Sequence, residues 1–398
     1  MRLRRRAGPV SLAALLLTAL LLALPLGPAA TAAPQPKTMF ELEFATGIAF
    51  GFDKMFVNER EGRIRVVENG RLLAEPLATI PTNSAGENGL LGIAVPPDPL
   101  DRAVYVFATD PDGGANDVWR VPIDGGEPRV VVPDLPAGGY HNGGGVAFDH
   151  DGMLLVSNGE THQAELSQDP SVLGGKIYRF MPDGAIPDDN PWPGSPALSI
   201  GHRNPFGLAV DPMTGTAWTT ENGPSAFDEI NRAVRGSNLG WPLLSGPGCD
   251  SEPDLEGCTD PVLSFESVIV PTGIAFAPAS APEEVAGHLF FGAYGVPALH
   301  EVTLDEDRRV ARSDDIIVSD DEAIVAVAWG PQGLYYSTTS AVKLIPFAEP
   351  DPDAEQPNPS ASPSPAAGDD PGGATGFALV VVILLALYAV SRRRLGVK

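Results

Sequence analysis

A histidine surrounded by glycines is the first feature of this sequence that could carry chemistry. The stretch GGYHNGGGVAFDHDGMLLVSNG (138–159) places His141 directly before an apolar strand-like run. Glycine lacks a Cβ, so the backbone there can adopt unusual dihedral angles and let a ligand approach closely. An imidazole in such a gap can move a proton near neutral pH. The alternative is a glycine-rich loop with an incidental histidine, and this stretch alone does not decide between the two.

Two further loops share the same character. SAGENGL (84–90) and SIGHRNPF (199–206) are polar and glycine-rich, and each precedes or enters an apolar run. They contribute Glu87, Arg203 and Asn204 as ionisable or amide side chains. Polar groups of this kind form a site when the fold brings distant loops together at one cavity.

A sixfold internal repeat supplies such a fold. A glycine (alanine in the last copy), an apolar residue, an alanine and another apolar residue recur at intervals of 45, 53, 62, 66 and 53 residues, and each copy is followed by a turn and a second strand-like run. Strands of this kind at this spacing predict an all-β, six-bladed β-propeller over residues 35–346, with the three loops at one mouth of its channel. A β-sandwich with accidental repetition is the alternative. The copies begin at Gly47, Gly92, Gly145, Gly207, Gly273 and Ala326.

The two ends of the chain predict export and anchoring. Residues 1–32 have the basic start, apolar run and small-residue exit of a signal peptide. Residues 349–375 are rich in proline, serine and acids, which predicts a disordered stalk. Residues 376–391 predict a transmembrane helix and 392–398 a cytoplasmic basic tail. We therefore expect the propeller to lie outside the cell, anchored to the membrane by its C-terminal helix.

The charge of the chain restricts the classes of partner, and its two cysteines predict a covalent link. The chain has 26 basic and 51 acidic residues, and eight of the basic ones lie in the two terminal segments, which leaves 18 for the exported part. Such an acidic surface disfavours nucleic acid and suits solubility and divalent cations. Cys249 and Cys258 are close in sequence, and outside the cell they predict one local disulfide.

Four motifs in order give a family resemblance. The segments 86–98 (GENGLLGIAVPPD), 141–152 (HNGGGVAFDHDG), 201–215 (GHRNPFGLAVDPMTG) and 221–242 (ENGPSAFDEINRAVRGSNLGWP) resemble the glucose/sorbosone dehydrogenase family. The family consists of six-bladed propellers that use pyrroloquinoline quinone (PQQ). The resemblance implies oxidation of the anomeric carbon of an aldose to a lactone, with hydride transfer to the quinone.

The resemblance also assigns roles to the loop residues. It implies that His141 is the general base and that Arg203, also catalytic, and Asn204 contact the cofactor and stabilise charge on its oxygens. It places Glu87 at the sugar substrate. His202 has the plainer interpretation of a hydrogen bond within its loop. The remaining histidines are interpreted as surface or packing residues: His150, His162, His288 and His300.

Calcium is the second cofactor that the resemblance implies. One ion would polarise the quinone and be held partly by carbonyls at Gly223 and Pro224. A structural ion would use the carboxylate of Glu229 and the carbonyl of Leu239, which are hard oxygen ligands. The alternative for Asp228 and Glu229 is that they only cap a turn.

The sequence departs from the family where cations are expected. Gly145 replaces an arginine, Gly295 replaces a lysine, and Ala323 and Val325 replace two arginines before the last blade, where Ala326 also replaces an aspartate. Each lost charge-assisted hydrogen bond to a cofactor carboxylate is worth about 1.5–3 kcal/mol. Two function classes therefore stay open: a PQQ- and calcium-dependent sugar dehydrogenase, and a catalytically inactive propeller that binds a carbohydrate or protein partner at the cell surface. A calcium-dependent lactone hydrolase is a third, without motif support.

Overall fold

The computed structural model describes residues 35–347, apart from the side chains of 311–316. Within that part of the chain, no helix is long and apolar enough to cross a membrane. The predicted signal peptide, stalk, transmembrane helix and basic tail lie outside the described residues.

Six antiparallel sheets form the described part, which confirms the all-β, six-bladed propeller. Each repeat of the sequence opens the innermost strand of one blade, and the following strands pair outward in chain order. Blades 1 to 3 consist of β2 (Ala45–Gly51), β3 (Lys54–Glu59), β4 (Arg63–Glu68), β5 (Arg71–Leu72) and β6 (Ala78–Thr79); β7 (Leu90–Ala94), β8 (Ala103–Thr109), β9 (Ala115–Pro122) and β10 (Arg129–Pro136); and β11 (Val146–Phe148), β12 (Leu154–Asn158), β13 (Lys176–Phe180) and β14 (Ala197–Ser199).

Blades 4 to 6 repeat the arrangement, and two 3₁₀ helices lie in the connections, at Ala164–Gln168 and Cys249–Ser251. The strands of these blades are β15 (Pro205–Val210), β16 (Ala217–Glu221), β17 (Asp228–Ala233) and β18 (Leu263–Phe265); β19 (Pro271–Phe276), β20 (Leu289–Ala293), β21 (Ala298–Leu304) and β22 (Val310–Ser319); and β23 (Val327–Gly330), β24 (Gly333–Ser337) and β25 (Ala341–Pro346), joined by β1 (Lys37–Glu41).

The first strand closes the ring. β1 pairs antiparallel with β25, so the outermost strand of the last blade comes from the opposite end of the propeller sequence. The pairing covers the exposed edge of β25 and fastens the two ends of the repeat together. The repeat pattern alone does not reveal this closure, because β1 lies before the first copy.

The glycines of the inner strands are there because neighbouring blades approach closely at the axis. A Cβ on Gly92 would collide with the carbonyl oxygen of Gly144 in the next blade, and one on Gly207 would collide with that of Thr272. The Gly92 amide donates a hydrogen bond to the Gly144 carbonyl across the blade boundary (3.0 Å). This close approach explains why the first repeat position is small.

The core lies between the blades as six separate apolar clusters. Five of the six clusters contain aromatic side chains, of which Phe56, Trp218 and Phe290 are fully buried. Burying a side chain of this size stabilises the fold by about 1.5–3 kcal/mol. The blades are therefore held by face-to-face packing, and the loops at the mouth are free to vary.

The disulfide is confirmed. Cys249 and Cys258 are bonded, with their Cα atoms 5.6 Å apart, in the long connection between β17 and β18. The same connection carries Leu239 and Trp241, which lie at the predicted site.

Candidate active site

One mouth of the channel gathers a residue from every blade around a cavity of ≈ 280 Å³. The inner strand of each blade starts at this mouth, and its antiparallel partner ends there, so both ends supply side chains. The lining includes Arg60, Glu87, Tyr140, Asn204, Tyr294 and Val325, from blades 1 to 6 in order.

His141 is buried and held by two carboxylates. Its Nδ1 lies 2.6 Å from Oε1 of Glu160, and its backbone N–H donates to Oε2 of Glu87 (2.7 Å). Only 7% of His141 is exposed, and Glu160 is buried beside it. The imidazole is therefore fixed by Glu160, and its loop is fixed to Glu87.

Close backbone packing explains the glycines around this histidine. His141 itself has φ 59°, in the left-handed region, and Gly143 follows with φ 67°. A Cβ on Gly159 would collide with the carbonyl oxygen of His141 and would also approach that of Arg203. The loops of blades 3 and 4 thus meet at Gly159, and a side chain there would separate them.

Glu221, at the end of β16, organises the loop that carries Arg203 and Asn204. Its Oε1 accepts hydrogen bonds from the backbone N–H groups of both residues. Its Oε2 lies 2.9 Å from Nδ1 of His202, whose Nε2 contacts the Ser199 hydroxyl at 2.8 Å. His202 is fully buried in these contacts, which agrees with its plainer interpretation as a loop-holding residue.

Arg203 lies at the same mouth as His141. The Glu160 amide donates to the Arg203 carbonyl (2.9 Å), and Oδ1 of Asn204 accepts from the Gly143 amide (3.1 Å). Burial holds the pKa of the half-buried Arg203 below its ordinary value, although the charges of Glu160 and other nearby carboxylates act in the opposite direction. The structure therefore brings together His141 and Arg203, the histidine and the arginine that the motifs single out.

The guanidinium of Arg203 is turned toward the loop after β16. Its Nη1 donates to the carbonyls of Asn222 (2.7 Å) and Gly223 (3.1 Å), and its Cζ lies 5.5 Å from the Trp241 ring centroid. Gly223 is one of the residues assigned to calcium, and its carbonyl already accepts this hydrogen bond. A carbonyl oxygen has two lone pairs, so one acceptor site remains.

Asp228 has a structural role. Its Oδ1 accepts from the Gly223 amide (2.8 Å), and its Oδ2 accepts from the amides of Ile269 (2.7 Å) and Val270 (2.8 Å). It thereby ties the loop of Gly223 and the exposed Pro224 to the entrance of blade 5. The turn-capping alternative describes Asp228 well.

Glu229 is in a different environment. It is buried; Oε1 accepts from the Gly246 amide (2.8 Å) and Oε2 from Nδ2 of Asn231 (2.9 Å). Burial raises the pKa of Glu229 to about 7, and the charges of Glu221 and Asp228 add to the shift. Among the described residues, the buried Oδ1 of Asn231 has no hydrogen-bond partner. The chain returns to this carboxylate at Gly246, and the unused amide oxygen belongs to the same Asn231 side chain that contacts Glu229.

The expected cation positions are packed shut. A Cβ on Gly145 would lie 2.5 Å from Cβ of Leu208 and 2.9 Å from Oγ of Ser157, and a Cβ on Gly295 would lie 2.9 Å from Cγ2 of Val270. Val325 is buried and lines the cavity. Neighbouring atoms therefore fill the space that longer side chains at Gly145 and Gly295 would need, and the cavity wall at Val325 is apolar.

Four residues at the mouth were missed from sequence: Arg60, Glu160, Glu221 and Tyr294. All four follow or end the second strand of a blade, whereas the sequence interpretation considered mainly the loops before the first strand. Antiparallel pairing puts both sets at one end of the blade. The signal that could have found them is their position at the end of the second strand-like run of each repeat, although the distance from the repeat varies.

Arg60 is the cation that lines the cavity. Its guanidinium lies over the Phe44 ring, 4.2 Å from the centroid, and its stem passes Gly89, where a Cβ would collide with it. Its buried Nε has no hydrogen-bond partner among the described residues. No carboxylate among the described residues forms an ion pair with Arg60. A cation so placed is available to an anionic group in the cavity.

Comparisons with known proteins agree with this architecture. The family model for glucose/sorbosone dehydrogenase matches residues 42–344. The aldose sugar dehydrogenase YliI of Escherichia coli is 31% identical over 315 residues, which cover 72% of this chain and 83% of YliI. The quinoprotein glucose dehydrogenase B of Acinetobacter calcoaceticus is 29% identical over 49% of this chain and 47% of its own.

A solved structure extends the similarity to three dimensions. The PQQ-bound form of the aldose sugar dehydrogenase from Streptomyces coelicolor matches with a TM-score of 0.68 and 30% identity, over 78% of this chain and 98% of that one. With a propeller of six blades, a buried histidine–glutamate pair at its mouth and a family match over residues 42–344, the chain belongs to the glucose/sorbosone dehydrogenase family.

Proposed function

We propose that this protein oxidises an aldose at its anomeric carbon to a lactone, with His141 as the general base. The observation that carries the proposal is the buried pair of His141 and Glu160, 2.6 Å apart, beside Arg203 at the mouth of the propeller. A positioned imidazole with a carboxylate partner is the arrangement that proton abstraction from a sugar hydroxyl requires. The pair lies next to a cavity large enough for a small ligand.

The chain's own residues define the proton path. When the Nδ1–H group of His141 donates a hydrogen bond to Glu160, the other ring nitrogen, Nε2, presents its lone pair and can take the proton of the sugar hydroxyl. Glu160 then stabilises the imidazolium that results. Glu87 is exposed at the rim and accepts a hydrogen bond from the His141 backbone amide, so it is placed to contact the sugar.

The cavity fits PQQ as a flat anionic ring, with fewer ionic contacts than the motifs of the family provide. When bound, the quinone supplies the hydride acceptor. Tyr140, Tyr294 and other apolar side chains offer walls for the ring, Asn204 offers an amide, and Arg60 offers a cation for a carboxylate. Arg203 contributes positive charge from the neighbouring loop. We infer that the ring is held mainly by packing and by Arg60.

Calcium fits the group around Glu229. A buried carboxylate whose pKa is raised, next to the unused amide oxygen of Asn231, is an environment that a hard divalent cation would stabilise. We assign Glu229 and the Leu239 carbonyl to this structural ion. The free acceptor sites at the carbonyls of Gly223 and Pro224 are assigned to a second ion near the cofactor.

The proposal includes location. Residues 1–32 as signal peptide and 376–391 as anchor would place the propeller outside the cell, above the 349–375 stalk. Support comes from composition: basic and apolar residues at both ends and an acidic, proline-rich stalk. Protease treatment of intact cells tests it, because an exported propeller is released from the surface and an internal one is not.

A second function is favoured by one observation. The cavity wall at Val325 is apolar where the family resemblance implies a cation, and Gly295, where it implies a lysine, is packed against Val270. This suits a propeller that binds a carbohydrate or protein partner without oxidising it. The experiment that separates the two is reconstitution of the purified protein with PQQ and calcium, followed by dye reduction with a panel of sugars. Sugar-dependent reduction supports the dehydrogenase. Sugar binding without PQQ binding, at saturating calcium, supports the second function and contradicts the first.

A further inference from the structure

Three metal-ligating side chains meet at the rim of the mouth. One ligand atom each from His141, Glu160 and His162 lies within 4.8 Å of the other two. The imidazole rings of His141 and His162 lie close together, with centroids 4.3 Å apart and a tilt of 30° between their planes. The arrangement was not expected from sequence, where His162 is interpreted as a surface or packing residue; it is exposed and it also contacts the base.

Glu160 has an oxygen that the fold leaves unused. Its Oε1 is taken by His141, while its buried Oε2 has no hydrogen-bond partner among the described residues. Glu160 is 2% exposed. A buried carboxylate oxygen without a donor is costly unless a cation or a ligand satisfies it. This orphaned oxygen is an observation independent of the histidine pair.

The donor set selects a class of ion. Two imidazoles and one carboxylate suit borderline divalent transition metals such as Zn²⁺, whereas calcium prefers oxygen ligands throughout. Zn–N and Zn–O bonds are about 2.0–2.2 Å, so two ligand atoms on one tetrahedral ion lie about 3.4 Å apart. The three ligand atoms lie within 4.8 Å of one another, so they have to approach by up to about 1.4 Å to hold one ion.

His162 can make that closure. It is exposed, and it follows Thr161 in a turn where both residues have positive φ (51° and 64°). Its ring is flanked by Tyr140, 5.9 Å away centroid to centroid, and not by a hydrogen-bonding carboxylate. A rotation about its side-chain torsions moves the imidazole without disturbing the strands. The other charged groups that face the site are Glu87 and Arg203, and their charges are opposite in sign.

We propose that His141, Glu160 and His162 form a reversible binding site for a divalent transition metal, and that the bound metal switches the general base off. The metal occupies one ring nitrogen of His141. If it takes Nε2, the base is blocked directly; if it takes Nδ1, Nε2 keeps the proton and cannot accept another. The binding does not rest on the proposed dehydrogenase activity, whereas the inhibition does.

Calorimetric titration of the purified full-length protein with ZnCl₂, with calcium in excess, tests the binding. The matched variants are His162→Gln and, as control, His150→Gln, which changes another exposed histidine remote from the cluster. We expect the tightest zinc affinity to fall at least tenfold in His162→Gln and to stay unchanged in His150→Gln. Equal affinities in all three proteins, or no zinc binding to the wild type, overturn the proposal. Glu160→Gln provides a second variant, and circular dichroism melts check that each one is folded.

Dye reduction tests the switch separately. Zinc should inhibit the wild-type enzyme, a zinc-selective chelator should restore activity while calcium remains, and His162→Gln should require at least tenfold more zinc for the same inhibition. Inhibition at the same zinc concentration in both proteins overturns the switch. If the wild type reduces no dye at all, the proposed function fails, and the calorimetric comparison still decides the metal site.

Discussion

The mouth of the propeller has two unlike halves. On the side of blades 3 and 4, His141, Glu160, Arg203 and Glu221 form a dense set of hydrogen-bonded ionisable groups. On the side of blades 5 and 6, the cavity wall consists of apolar and aromatic side chains such as Val325, and no Lys or Arg of those blades is among the described residues that line it. Both halves belong to one ring of sheets with the same connectivity.

This contrast separates two tasks that a cofactor-dependent enzyme has to perform. In the proposed function, the polar half holds His141 in one orientation through buried carboxylates. The apolar half has no Lys or Arg where the family resemblance implies cations for the cofactor's carboxylates, and besides apolar and aromatic surface it offers the hydroxyl groups of Thr272 and Tyr294. We therefore expect changes in the apolar half to affect cofactor binding more than proton transfer.

The largest effect is expected from the polar half. In an active preparation, His141→Ala should lower kcat/KM by about 10²–10⁴-fold, because the general base is removed. Steady-state dye reduction with the preferred sugar measures the change. His150→Ala is the control and should leave kcat/KM within about twofold. A His141→Ala enzyme with nearly normal kcat/KM would show that the pair with Glu160 is only structural.

The apolar half can be tested by restoring a charge. Val325→Arg places a cation at the cavity wall, and one charge-assisted hydrogen bond worth about 1.5–3 kcal/mol should raise PQQ affinity about 10–100-fold. Fluorescence titration with PQQ measures the dissociation constant, with circular dichroism as a check of folding.

Val325→Met is the matched control, since it adds length without charge. If Val325→Met tightens binding as much as Val325→Arg, the gain comes from packing, and the contrast between the halves is not electrostatic. If neither variant changes the affinity, the cofactor does not reach this wall.

The fold was predictable to a large extent, and the reason is physical. Inner strands need a small residue where the next blade approaches, as at Gly92 and Gly207, so the repeat can be recognised directly from the sequence. The closure by β1 was not predictable in the same way. Its pairing with β25 joins segments about 300 residues apart, and an outer strand carries no crowded position that would mark it.

The site was predictable in part. Loops before the repeats pointed to His141, Arg203 and Asn204, and the structure brings these three to one mouth. Glu160 and Arg60 were missed because they follow second strands, whose length varies, so that no fixed spacing ties them to the repeat. Only the antiparallel register shows that they face the same cavity.

Replacing Arg60 should have a moderate effect on PQQ affinity. Arg60→Met is expected to weaken PQQ binding roughly tenfold, because the half-exposed guanidinium is screened by solvent and its charge-assisted bond is worth the lower end of the usual range. Arg60→Lys keeps the charge and loses the planar stacking on Phe44, so an intermediate affinity is expected. The same fluorescence titration applies. Unchanged affinity in Arg60→Met would assign Arg60 to holding Phe44 rather than to the ligand.

The smallest expected effect concerns a lysine behind the polar half. Lys176 is fully buried, and its Nζ donates to the carbonyls of Leu166 and Gly174 (2.6 Å each), in the segment that follows Glu160 and His162. Burial lowers the pKa of Lys176 to about 8 from its ordinary 10.5. The folded protein therefore loses this proton at lower pH than the unfolded chain does.

The sign of the pH dependence follows from that difference. Between the two pKa values the unfolded state binds more protons, so the free energy of unfolding should rise with pH, by at most about 1.4 kcal/mol per pH unit for one group. Lys176→Met should remove this rise. Urea unfolding of both proteins at pH 7.5, 8.0 and 8.5 measures it, in a range below the pKa of about 10 at which tyrosines titrate in the unfolded chain; the buried tyrosines have raised pKa values in the fold and would lower the free energy of unfolding above that range. Parallel pH profiles would mean that Lys176 keeps its proton in the fold, and that the backbone behind the base is held by an ammonium throughout this range.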